Sequence, residues 1–375
     1  MALVTYEQLK AIVNNVVTTS LISNDSFVET RNNLVGLLDK IGKIHTLDTV
    51  FTIDKLARFE GEFLSFGKTI EEWQQDLILP EDYDANGSYA MSPHVPTYRP
   101  VFYSYTLGRK KIPTSIYNDN IERAVHNEGQ FAEIVAVQYK RLEDSMAQYR
   151  YGVKRDIIAK LYSLCAAEMD LSAASTYAIS TAYSVGDIVK ASGSPTTTAI
   201  VFKAIANTNT NTYAQAIAAG QLVELDLITE IAKPVDTSTS DAFIKQVKKD
   251  VEVAQDSNQG HSLNGNCLGV SESLVLIVRQ GILPQLEVES YAGAFNREDL
   301  AVPAEIITVK DFGSASDDVY AVLMDSRGMR LYNTYNATRE NFNGDGDFLN
   351  LFRHTEDTAA ISRNTFVKFY VVPSN

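Results

Sequence analysis

The sequence predicts an α+β fold on three observations: an apolar stripe at helical spacing across 127–169, strand signals paired around turn formers from residue 305 onward, and helices mixed with hairpins in an order unlike a doubly wound sheet. The stripe is the strongest signal. Phe131, Val135, Gln138, Leu142, Met146, Tyr149, Val153, Ile157 and Leu161 recur every three or four residues, which puts their side chains on one face of a helix. At 1.5 Å per residue such a helix of about 40 residues spans about 60 Å. Glu133, Lys140, Arg141, Glu143 and Asp144 fall on the opposite face, and Gly129 and Gly152 are the points at which the helix can start late or bend.

Residues 1–57 read as an N-terminal arm, rich in Asn and Thr, with short apolar clusters at Val16-Val17 and Leu34-Val35 and helices expected at 6–17 and 26–41. Asn24 and Ser26 supply N-cap oxygens for the second. From 58 to 117 the prolines at 80, 93, 96, 100 and 113 argue against helix. Val101, Tyr103, Tyr105 and Leu107 alternate with Phe102, Ser104 and Thr106, a period of two that predicts one strand face carrying all four. A long two-stranded excursion follows, its tip kept in solvent by Glu81, Asp82 and Asp84; it has little core of its own and needs a partner surface. The long helix occupies 118–171.

Residues 172–229, rich in Ala, Ser, Thr and Asn and almost free of charge, read as a small β-rich insertion with strands at 188–191 and 199–206. An amphipathic helix is predicted over 241–253, with Phe243, Ile244, Val247 and Val251 on one side, and a further helix opens at 271–278, limited by Pro284. Strands are predicted at 305–309 and 319–324, then a turn at Asp325-Ser-Arg-Gly328, a return at 329–332 and a closing strand at 366–372.

At 375 residues the chain exceeds the usual domain of roughly 100 to 200 residues, so two or three sub-domains are expected. Hydrophobic residues at 45% and charged residues at 21% are ordinary for a folded protein and exclude a chain disordered throughout. A net charge of −14 repels polyanions, which argues against nucleic-acid grip. Cys165 and Cys267 read as reduced thiols and not as a disulfide framework or metal cluster. Glu7 and Lys10 interrupt the first apolar stretch, so no secretion signal is expected. The longest aliphatic run, 274–278, is far below the roughly 20 residues a membrane helix needs.

Catalytic motifs are sparse. His45, His94, His126, His261 and His354 stand apart from one another, and no nucleophile elbow, Walker loop or dinucleotide fingerprint is present. Asn343-Gly-Asp-Gly-Asp347 has the composition of a calcium loop but lacks its closing carboxylate, so a solvated hairpin turn is the expectation. Glu71, Glu72 and Asp76 could pose as a glycosidase acid–base set, with plain surface charges as the stronger reading. Asn336-Ala-Thr338 fits a glycosylation pattern but carries no weight without a secretion signal.

Phe66-Gly-Lys-Thr-Ile-Glu-Glu72 with Asp82-Tyr-Asp84, Ala294-Phe-Asn-Arg-Glu-Asp299 leading to Ile307-Thr-Val-Lys-Asp-Phe-Gly313, and Ala321-Val-Leu-Met-Asp325 leading to Ile361-Ser-Arg363 together resemble tailed-bacteriophage major capsid proteins of the Hong Kong 97-type fold, in particular those of small short-tailed phages of the Bacillus phi29 type. The resemblance implies that 58–117 is the extended loop, 118–171 the spine helix of a peripheral domain, 230–302 an axial domain and 303–375 the return to the peripheral sheet. It further implies self-association in pentamers and hexamers, portal and scaffolding proteins as partners, and double-stranded DNA enclosed without sequence-specific contact. No cofactor, metal, catalytic residue or membrane is implied. The place of action would be the virion, assembled in the host cytoplasm. Phe66, Ile70, Trp73, Tyr103 and Tyr105 are the expected inter-subunit contacts. The alternative is a phage adhesin: Tyr183-Ser-Val-Gly-Asp-Ile-Val189 with Val201-Phe-Lys-Ala204 resembles small β modules of carbohydrate-binding proteins and tail components, and would place Tyr183, Phe202 and Tyr213 against a glycan.

Overall fold

A single helix, α1 (Glu128–Glu168), runs for 41 residues straight through Gly152. Its predicted stripe faces inward: Leu142, Met146, Ile157 and Leu161 are buried, whereas Arg141 and Glu143 are exposed. The computed structural model describes residues 54–373 except 76–97, 118–127, 173, 180, 191–200, 207, 209–211, 258–259, 266–268, 271–272 and 287–303. The arm helices expected at 6–17 and 26–41, the acidic tip, Asp76, Cys267, His45, His94, His126 and the 294–299 motif therefore lie outside the described residues.

Two sheets pack against α1. The first is built on a long hairpin, β14 (Met329–Asn343) and β15 (Phe348–Ile361), in register from Met329↔Ile361 to Asn343↔Phe348 with a bulge between Asn333 and Tyr335. Its connection is the solvated turn predicted at 343–347: the Asn343 side chain accepts from the backbone N–H groups of Asp345 and Gly346, and Asp347 takes a left-handed φ of 46°. On the far side of β15 lie β4 (Ser104–Thr106) and β5 (Lys110–Tyr117), both antiparallel, while β1 (Glu60–Phe63) runs parallel to β14. A charge cluster seals the join: Lys154 on α1, with no exposed surface, meets Asp54 and sits 3.1 Å from Glu60, while Arg150 reaches Glu60 at 2.8 Å and Asp357 at 3.4 Å.

The second sheet has the order β10 (Ile228–Glu230), β16 (Val367–Val371), β13 (Val319–Asp325), β11 (Leu274–Arg279), β12 (Glu305–Val309). Alternate residues of its central strands bury on opposite faces. Val275, Ile277, Val322 and Phe369 join Ile158 and Leu161 of α1, whereas Leu274, Leu276, Leu323 and Tyr370 join Phe243, Ile244, Val247 and Val251 of α3 (Thr237–Gln255). Where a helix was predicted at 271–278, residues 274–278 thus form a strand. Covered on both faces, β11 shows an unbroken apolar run whose periodicity does not separate strand from helix. Pro284 falls in the short helical turn at 282–286 that follows it. α3 starts four residues before its predicted position because Asp236 and Thr239 form a reciprocal capping box. Where β12 leads toward β13, Gly313 (φ +61°) passes so close to α1 that a Cβ there would run into the Asp156 carboxylate and stand 3.1 Å from its backbone.

The insertion carries its own four-stranded sheet, β6 (Ser175–Thr176), β7 (Ile188–Lys190), β8 (Val201–Ala204) and β9 (Leu222–Glu224), with the short helix α2 (Tyr213–Ala218). Lys203 of β8 is buried and donates to Glu168 (2.8 Å) and the Leu263 carbonyl (2.6 Å), which ties the insertion to the end of α1.

Candidate subunit interface

The segment expected to form the extended loop contains a two-stranded antiparallel ladder, β2 (Glu71–Gln75) against β3 (Tyr98–Phe102), with Trp73 opposite Pro100. Pro100 is tolerated because, among the described residues, this ladder has only two strands and each keeps one unpaired edge. The strand predicted to run through 101–107 is broken at Tyr103. There the chain changes partner, from β2 to β15, and its carbonyl accepts from Ile361 N–H at 3.1 Å. The one-face expectation fails for that reason: Tyr105 is 39% exposed and Leu107 packs on the core.

Charge and hydrogen bonds hold the base of this segment. The Glu356 carboxylate on β15 accepts from Lys68 Nζ and, at 3.4 Å, from Arg109, whose guanidinium lies 4.1 Å from the Tyr335 ring centre. The Lys68 hydrogen bond, followed by the charges of Lys68 and Arg109, holds the Glu356 carboxyl below its usual pKa against the effect of desolvation. On the other side Glu72 accepts from Ser362 Oγ (2.8 Å) and Asn364 Nδ2 (3.2 Å). Asn264 Nδ2 donates to Asn364 Oδ1 (2.6 Å) and to Tyr103 Oη (2.7 Å), and Arg363 lies 5.3 Å from the Tyr103 ring. Burial raises the Tyr103 pKa despite the Asn264 bond.

What this scaffold presents is apolar. Phe66 is 95% exposed, Trp73 64% and Phe63 57%; Ile70 and Tyr103 are half-buried and line a cleft of about 500 Å³ with Trp73 and Tyr332. Large aromatic side chains held outward on one short stretch are the kind of surface protein interfaces use. Of the five residues singled out from sequence, Phe66, Trp73 and Tyr105 are exposed, and Ile70 and Tyr103 sit at the cleft. Sequence reasoning missed Phe63, and it missed Glu356 as the carboxylate shared by both limbs, since its partners lie 247 and 288 residues away.

The rival sites are not assembled. Tyr183 and Phe202 are each only 7% exposed and form the insertion's core with Tyr177 and Val189; Tyr213 packs edge-on against Tyr177 and Phe202. The aromatics expected against a glycan are spent on folding the insertion. Glu71 and Glu72 are consecutive on a strand and point to opposite faces, with Glu72 engaged by Ser362 and Asn364. Burial, then the neighbouring charge of Glu168, pushes the Cys165 thiol well above its usual range, which makes it unreactive. Among the described residues no three His, Cys, Asp or Glu side chains are grouped to hold a metal, and no helix is long and apolar enough to cross a membrane.

A 41-residue helix packed against a long hairpin, with a second sheet covered by helices on both faces, makes up the Hong Kong 97-type fold of phage capsid structures. The chain is similar to the capsid structure of Staphylococcus phage Andhra (TM-score 0.58, 8% identity, 89% of this chain and 88% of that one). It is also similar to the capsid structure of Cyanophage P-SCSP1u (TM-score 0.51, 6% identity, 90% and 95%). A search of curated protein sequences finds no match. The sequence model of the Phi29-like phage major capsid protein family matches residues 5–370, and the chain belongs to that family: it is a major capsid protein, which forms the shell of the virion.

Proposed function

We propose that the chain builds its shell by laying the extended loop across a neighbouring copy, with Phe66, Ile70, Trp73, Tyr103 and Tyr105 as contacts, in rings of five and six. The exposure of Phe66, Trp73 and Phe63 on a segment otherwise fastened to the body carries this reading. Burying such side chains contributes about 1.5–3 kcal/mol each, and many modest heterologous contacts closed into a shell reinforce one another while each stays reversible during assembly. Scaffolding and portal proteins are the expected assembly partners and double-stranded DNA the enclosed cargo. A net charge of −14 suits a container whose wall the DNA does not adhere to. The work is structural, with no catalytic role and no cofactor.

The test is negative-stain microscopy of the chain expressed with its scaffolding protein, beside the Phe66→Ser/Trp73→Ser variant. Closed shells from the wild type and folded but unassembled subunits from the variant are expected. Normal shells from the variant would refute the loop contact.

A further inference from the structure

We infer that two carboxylate clamps, Glu356 and Glu72, fix the angle at which the extended loop leaves the body and so set the direction in which it reaches the next copy, an inference that rests on the tiling proposed above. The β2–β3 ladder pairs only with itself among the described residues. Its backbone ties to the body lie at the base, in the pairing of β1 with β14 and of β4 with β15, extended by bonds from Leu64 N–H to the Asn333 carbonyl, Ile361 N–H to the Tyr103 carbonyl and Leu107 N–H to the Asp357 carbonyl. A ladder attached in that way is free to swing about Leu64 and Tyr103 unless side chains oppose it.

Two sets of side chains do. Glu356 stands at the β14 bulge, where β14 and β15 slip register, and holds Lys68 on the outgoing limb together with Arg109 on the returning limb, so one buried carboxylate fastens both. Glu72 is already within the ladder and reaches back to Ser362 and Asn364, in the turn between β15 and β16; Asn264 extends that clamp to Tyr103. The cleft bounded by Ile70, Trp73, Tyr103 and Tyr332 is the space such a swing would open or close. Charge-assisted hydrogen bonds are the strong kind, and two of them on separate lever points fix an angle that one would leave adjustable.

Trp73, the only tryptophan of the chain, sits on β2 and reports the ladder's motion directly. The experiment compares full-length wild type, Glu356→Gln/Glu72→Gln and, as a control on an exposed residue of β1, Glu62→Gln. Lys68→Gln/Arg109→Gln removes the first clamp from its exposed side and serves if Glu356→Gln fails to fold. Unassembled subunits are read by Trp73 anisotropy decay, and assembly with scaffold by electron microscopy. In the clamp variants the amplitude of the nanosecond component should rise about twofold and particles should become open sheets or shells of irregular diameter, with Glu62→Gln behaving as wild type. Unchanged anisotropy would overturn the clamps, and increased motion with shells of normal diameter would overturn their control of direction. If the wild type itself forms no shell, the tiling reading fails, while the anisotropy result still decides the clamps.

Discussion

The central sheet and the base of the extended loop are built on opposite principles. In β11, β13 and β16, Val275, Leu276, Ile277, Val322, Leu323 and Phe369 have no exposed surface, and two helices cover both faces. At the loop base polar groups supply the fastening and Phe66 and Trp73 point into solvent. The first region uses its apolar surface to fold the subunit. The second leaves apolar side chains exposed while charges and hydrogen bonds fasten it to the body. A shell protein needs both, since contacts between copies must be available after folding is complete.

Substitutions should separate the two regions by size of effect. Leu161→Asp puts an unpaired charge under the sheet and should cost more than about 4 kcal/mol, leaving no folded subunit by circular dichroism. Lys154→Ala strips Asp54 and Glu60 of their buried partner and should cost about 3 kcal/mol by urea denaturation; Lys154→Met, which keeps the stem's packing, should cost less.

Asp226 adds a pH-dependent effect. Burial opposes its ionised form, but hydrogen bonds and charge from His261 and Lys368 outweigh it and lower its pKa to about 2. Because the folded value lies below the usual 3.8, the contribution is full above that value and fades as pH falls toward 2. The carboxylate is half exposed, which reduces the effect to about 1 kcal/mol. The stability gap between wild type and Asp226→Asn should therefore narrow as pH falls from about 5 toward 2. Smallest of all, Phe66→Ser should change the unfolding free energy from urea denaturation by less than about 0.5 kcal/mol while weakening assembly.

What the sequence made legible follows from how local each signal is. α1 is readable because Leu142, Met146, Ile157 and Leu161 repeat at helical spacing, and of the 329–361 hairpin the start at 329–332 and the turn at Asn343-Gly-Asp-Gly-Asp347 are readable, but not the length of its two strands. β11 was not, since a strand buried on both faces loses the alternation that would mark it. The loop base was half legible. Phe66 and Trp73 stood out through the family resemblance, but the Glu356 and Glu72 clamps join residues more than two hundred positions apart and leave no trace in spacing. Tyr183 and Phe202 misled for a related reason: composition does not tell an aromatic that faces a ligand from one that fills a small core.

Trp73 emission before and after assembly addresses the central claim most directly. If the loop completes its burial on a neighbouring copy, the spectrum moves to shorter wavelength and acrylamide quenching falls when subunits close into shells. An identical spectrum and equal quenching in free subunits and intact shells would show that the exposed aromatics of the loop base never find a neighbour.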